Sequence, residues 1–97
     1  MRIATVIGTV TLNRVHPSLH GYRWIIGVPH SLKALQADAG PDGEDLVMLD
    51  QLGAGHGSLV GVSEGAEAAQ PFHPEKKPVD AYCACILDSL TLSDPIG

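Results

Sequence analysis

Apolar and polar residues alternate along the opening segment, Arg2 to Leu12, yet neither side of it is purely polar. In an extended chain, successive side chains point to opposite faces. Ile3, Thr5, Ile7, Thr9 and Thr11 therefore share one face, and Ala4, Val6, Val10 and Leu12 the other, with Gly8 between. A half-exposed sheet would show a cleaner apolar-in, polar-out pattern. Apolar residues on both faces predict a core strand, or a strand of a small closed barrel with something packed on its outside.

The rest of the chain reads as further short strands. Asn13 to Gly21 carries Pro17, Ser18 and Gly21 and is expected to be a loop. Tyr22 to Val28 is rich in β-branched and aromatic residues and predicts a second strand, which Pro29 ends. His30 to Ala37 suggests a short helical turn, and Ala39-Gly-Pro-Asp-Gly43 a tight reversal. Asp45 to Asp50 predicts a third strand and Ser58 to Ser63 a fourth. The alanine-rich Gly65 to Gln70 suggests another helical turn. Pro71 to Pro78 is expected to be a polar loop, Ala81 to Leu92 the last strand, and Ser93 to Gly97 a loose tail. The expected fold is all-β: a small five-stranded OB-like barrel with short helical turns. Its 97 residues form one domain, 1–97, with no internal repeat.

Composition narrows the function classes. The formal net charge is −5, and the 6 Lys and Arg are scattered. A nucleic-acid binder needs a basic stripe and exposed stacking rings; here the aromatic residues are only Tyr22, Trp24, Phe72 and Tyr82. No stretch approaches the ~20 apolar residues of a membrane-spanning helix, and no secretory leader is visible at the start. A cytosolic protein that engages neither nucleic acid nor membrane is expected. Cys83 and Cys85 are two apart in the last predicted strand, their side chains pointing the same way and their Cα atoms roughly 6.6–6.8 Å apart. That is the far edge of disulfide reach, so both are read as reduced.

Candidate chemistry is sparse. Gly53-Ala-Gly-His-Gly57 is glycine-rich, but it lacks the Lys and the following helix of a phosphate-binding loop. A tight turn between strands is the better reading. The histidines His16, His20, His30, His56 and His73 show no zinc-helix spacing, and the Cys83-x-Cys85 pair has no second cysteine pair. Ser18, Ser58 and Ser63 lie outside any nucleophile motif, and Asp38, Asp42, Glu44 and Asp45 read as a solvated acidic turn. Glu75-Lys-Lys77 reads as surface, and Trp24 as an anchor in the core or at an interface. No cofactor, metal or catalytic residue is expected. The chain is not read as an enzyme.

Four segments together resemble the pentameric vertex proteins of bacterial microcompartment shells, of carboxysome and ethanolamine-utilisation type. They are Met1-Arg-Ile-Ala-Thr-Val-Ile-Gly-Thr-Val10, Pro17-Ser-Leu-His-Gly-Tyr-Arg23, Asp50-Gln-Leu-Gly-Ala-Gly-His-Gly57, and Pro78-Val-Asp-Ala81 with the apolar strand that ends at Asp88-Ser89. The sequence departs from that pattern at Gly65-Ala-Glu-Ala-Ala-Gln70, where the family often shows G-S-S-A-R, and at Cys83-Ala-Cys85, where aliphatic residues are usual. The resemblance implies a homopentamer that caps the corners of a cytoplasmic shell tiled by hexameric proteins. It also implies that Asp50, Gly53, Ala54, Gly55, His56 and Gly57, with Val79, Asp80 and Ala81, form the signature loop and pentamer interface. In such a ring His56 would be repeated around the axis. Two readings of other classes stay open: an OB-like module for a small ligand or oligonucleotide, and a redox or metal module at Cys83 and Cys85.

Overall fold

A computed structural model of the chain describes residues 1–12, 14–74 and 79–92. Five strands carry it: β1 (Arg2–Val10), β2 (Arg23–Pro29), β3 (Leu46–Asp50), β4 (Leu59–Glu64) and β5 (Ala81–Leu87). They close into a barrel in the order β1-β2-β3-β5-β4. All pairs are antiparallel except β3–β5, a parallel seam whose register places Leu49 opposite Tyr82. One short helix, α1 (Leu32–Gln36), joins β2 to β3. Two 3-10 segments, Pro17–Leu19 and Gly65–Phe72, complete the chain. The expected barrel and most strand limits are present. The last strand is shorter than expected, ending at Leu87, and the Asn13–Gly21 loop contains a 3-10 turn that the sequence reading missed. The Glu75–Lys77 loop and the Ser93–Gly97 tail lie outside the described residues.

The barrel interior is filled by Ala4, Val6, Ile25, Met48, Val60, Val62, Ala81 and Cys83, with Ala54 closing it from the β3–β4 loop. Met48 also explains Gly27. A Cβ there would sit 2.5 Å from the Met48 terminal methyl, so a larger residue would push the end of the methionine aside. A second cluster lies on the other face of β3. Leu49, fully buried, packs with Leu19, Ala68 and Val79, and Val15, Tyr22, Trp24, Phe72 and Tyr82 close around it. Phe72 stands edge-on to Tyr22 and to Tyr82, at centroid distances of 5.7 and 5.6 Å. Part of the outer apolar surface is thus covered by the chain's own 3-10 segments, and Trp24 finds its place there.

Two bulges correct the strand phases read from the sequence. In β1, Val6 pairs with Gly27 and Gly8 with Ile26, which leaves Ile7 as the extra residue, partly exposed. In β5, Val62 pairs with Cys83 and Gly61 with Cys85, which leaves Ala84 as the extra residue. The bulge turns the two cysteines to different sides. Cys83 enters the barrel core. Gly61 lies between two inward-facing valines and so faces outward; the Cys85 sulfur would meet a Cβ on it at 2.7 Å, and the Met1 sulfur at 2.9 Å. The expectation that both thiols share one face is therefore overturned. Both are free.

Candidate functional site

The β3–β4 loop is built on one carboxylate. Asp50 ends β3 and is 2% exposed. Its Oδ1 accepts the amide of Leu52 at 2.9 Å, and its Oδ2 accepts the amide of Ala54 at 2.8 Å. Arg23, at the start of β2, donates to the same Oδ2 and, at 2.7 Å, to the carbonyl oxygen of Ala54. A buried carboxylate needs a partner charge and satisfied lone pairs. This one has both, and in return it fixes the turn that drops Ala54 into the barrel mouth.

Beyond Ala54 the loop comes to the surface. Gly53 and Gly57 adopt φ of 79° and 86°, a region that side chains other than glycine rarely enter. The Gly55 amide donates to Ser58 Oγ at 3.1 Å, and the Ser58 amide donates to the Gly55 carbonyl at 3.0 Å, closing the turn. The Gly57 amide then donates to the Val6 carbonyl at 2.8 Å, and Val6 donates to the Ser58 carbonyl at 2.9 Å. The loop is thus pinned to β1 beside the Ile7 bulge. A Cβ at any of the three glycines would meet open space within the protomer, but Gly55 differs from Gly53 and Gly57 in that its φ is ordinary. Gly55, His56 and Gly57 are exposed.

The other predicted residues fall into two groups. Val79 and Ala81 are buried, one in each cluster, while the Asp80 side chain is exposed and its carbonyl accepts the Gly65 amide at 2.8 Å. The two segments meet at their roots. Ala54 and Ala81 share the barrel core, and Tyr82 donates its hydroxyl to Gln51 Oε1 at 2.7 Å. Burial raises the Tyr82 phenol above its ordinary value, with Cys83 and Asp50 adding to the effect. Burial, with the Asp50 carboxylate nearby, pushes the Cys83 thiol up to about 12. That thiol stays protonated and inert at neutral pH. Arg23, which holds both Asp50 and the Ala54 carbonyl, was not among the loop residues expected from the sequence. Its signal was present, as the basic residue that ends the Pro17–Arg23 segment.

Among the described residues no group of three or more His, Cys, Asp or Glu side chains could hold a metal ion, and no helix is long and apolar enough to cross a membrane. His16 caps its own 3-10 turn, its Nδ1 accepting the Ser18 amide at 3.2 Å.

A closed barrel of order β1-β2-β3-β5-β4, with a carboxylate-anchored glycine turn between β3 and β4, is a five-stranded barrel of the OB type. The profile of the family described as "Ethanolamine utilisation protein EutN/carboxysome" matches residues 1–88, and the chain belongs to that family. Similar proteins include the bacterial microcompartment shell vertex protein GrpN of Rhodospirillum rubrum, 32% identical over 93% of this chain and 96% of that protein. The carboxysome shell vertex protein CcmL of Thermosynechococcus vestitus is 35% identical over 94% of this chain and 87% of its own length. The solved structure of the GrpN pentameric microcompartment shell protein from Rhodospirillum rubrum superposes with a TM-score of 0.79. It covers 96% of this chain and 100% of that one at 30% identity.

Proposed function

We propose that this chain is a structural shell component that assembles into a homopentamer and caps the vertices of a bacterial microcompartment, in the cytoplasm. The observation that carries the reading is the match over nearly the whole chain to vertex proteins of that family, one of which is described as pentameric. Residues 1–97 act as one vertex domain. Their role is geometric: flat hexagonal tiling cannot close into a polyhedron, and five-fold units at the corners supply the curvature. The partners are four further copies and, around them, hexameric shell proteins. No catalysis is assigned, in keeping with the names of the structural relatives.

A five-membered ring closes through a heterologous interface, in which two different patches of each copy meet. Partly exposed apolar side chains at Ile7, Val47, Leu52 and Ile86 are available for such contacts. In the signature loop, Asp50 and Ala54 set the shape from within, and Gly53, Gly55, His56 and Gly57 present backbone to the neighbour. The open space at Gly55 gives that glycine no reason within its own protomer. Close approach of the adjacent copy supplies one. Native mass spectrometry tests this: the wild-type chain is expected at five subunits, and Gly55→Trp as a folded monomer. A pentamer in the tryptophan variant would remove the loop from the interface. A monomeric wild type would contradict the vertex reading and favour a ligand-binding module.

A further inference from the structure

The seam between β3 and β5 is the least paired part of the barrel. Its register is set at Leu49 and Tyr82, and toward the strand starts the seam opens into a groove of about 360 Å³. Leu46, Val47 and Ala81 give this groove an apolar floor, while Glu64 and Asp80 make one edge acidic. Val47 is 44% exposed. Glu64 is already paired with Arg2, but Asp80 has no ion-pair partner among the described residues.

A feature of opposite character lies elsewhere on the surface. Helix α1 lies beside β1 and β4: His30, two residues before it, is hydrogen-bonded through Nε2 to Thr5 Oγ1 at 2.7 Å, and Leu35 lines a cavity with Leu59. The outer side of α1 carries Leu32, 62% exposed, and next to it Lys33, which also lacks an ion-pair partner among the described residues. An exposed leucine beside a lysine complements an apolar groove with an acidic edge. No residue lines both the groove and the cavity beside α1, so the two features are distinct patches of one copy, as a head-to-tail contact requires.

We infer that Leu32 of one protomer inserts into the Leu46–Val47–Ala81 groove of the next, with Lys33 paired to Asp80 across the junction. The inference rests on the ring assembly proposed above and identifies its two contacting patches. Leu32 supplies the buried anchor. The ion pair sets orientation and register more than affinity.

The test is native mass spectrometry with analytical sedimentation on the full chain, and circular dichroism to check folding. Leu32→Asp and Val47→Asp replace exposed side chains, so each is expected to fold and to lose the pentamer. Lys33→Glu and Asp80→Lys are each expected to weaken assembly by about fivefold per junction, as expected for an exposed pair turned into a like-charge contact. The double variant Lys33→Glu/Asp80→Lys is expected to recover it. Pentamers in Leu32→Asp or Val47→Asp, or a double variant no better than its parents, would overturn these contacts while leaving a pentameric wild type in place. A wild type that is itself monomeric would overturn both these contacts and the ring.

Discussion

Two loops of this barrel are each anchored by one aspartate, and they show how burial changes the stakes of similar chemistry. Asp50 holds the β3–β4 loop by accepting two backbone amides and pairing with Arg23, and its side chain is fully buried. Asp42 holds the α1 loop by accepting the Ser31 amide at 2.7 Å and the Ser31 hydroxyl at 2.6 Å, while remaining exposed. Ser31 in turn caps α1 by accepting the Ala34 amide at 3.0 Å. The buried carboxylate, cut off from water, is compensated by a positive partner as well as by the two amides. The exposed one works with neutral donors. The contrast also separates roles: the first anchor shapes the signature loop, and the second orients the helix that carries Leu32.

The largest expected effect comes from breaking the buried anchor. Asp50→Ala leaves the amide of the buried Ala54 without its acceptor and takes the carboxylate partner from Arg23, whose side chain is half exposed, at a cost of about 2–3 kcal/mol. That is a large share of the roughly 5–15 kcal/mol of a small domain. Urea denaturation should register it as an early midpoint. A loss under 1 kcal/mol would mean that the network is not structural.

A smaller effect is expected at the exposed anchor. Ser31→Ala removes the cap of α1 and should cost about 1 kcal/mol. The hydrogen bonds from Ser31 hold the Asp42 carboxyl below its ordinary value of 3.8. Its contribution is therefore complete above pH 3.8 and lost as the pH falls through the lower, folded value. Asp42→Asn should flatten that acid limb of the stability profile, and an unchanged limb would contradict the assignment.

A third effect, outside the neutral range, should appear at the alkaline end. The Cys83 thiol moves from an ordinary 9.0 to about 12. The unfolded chain therefore loses its thiol proton above pH 9 while the folded chain keeps its own, and stability should fall as the pH rises from 9 towards 12. Cys83→Ala should reduce that slope. At pH 8, alkylation of the native protein should spare Cys83.

Much of the fold was legible because alternation and turn residues carry it. Pro29 does end β2, and β3 is apolar on both sides because Met48 faces the barrel core and Leu49 the outer cluster. The bulges at Ile7 and Ala84 were hidden, since a period of two gives no notice of an extra residue. That is why Cys83 and Cys85 were expected on one face. The signature loop was legible as a loop from Gly53, Gly55 and Gly57. The burial of Asp50 and its bond to Arg23 were not, because that contact joins residues 27 apart in the chain. The cover supplied by Leu19, Ala68 and Phe72 depends equally on long-range packing.

The central claim is that this barrel closes a five-fold ring. Native mass spectrometry of the purified wild-type chain, across a range of protein concentrations, tests it most directly. The account predicts a dominant particle of five subunits, and a persistent monomer or dimer would contradict it.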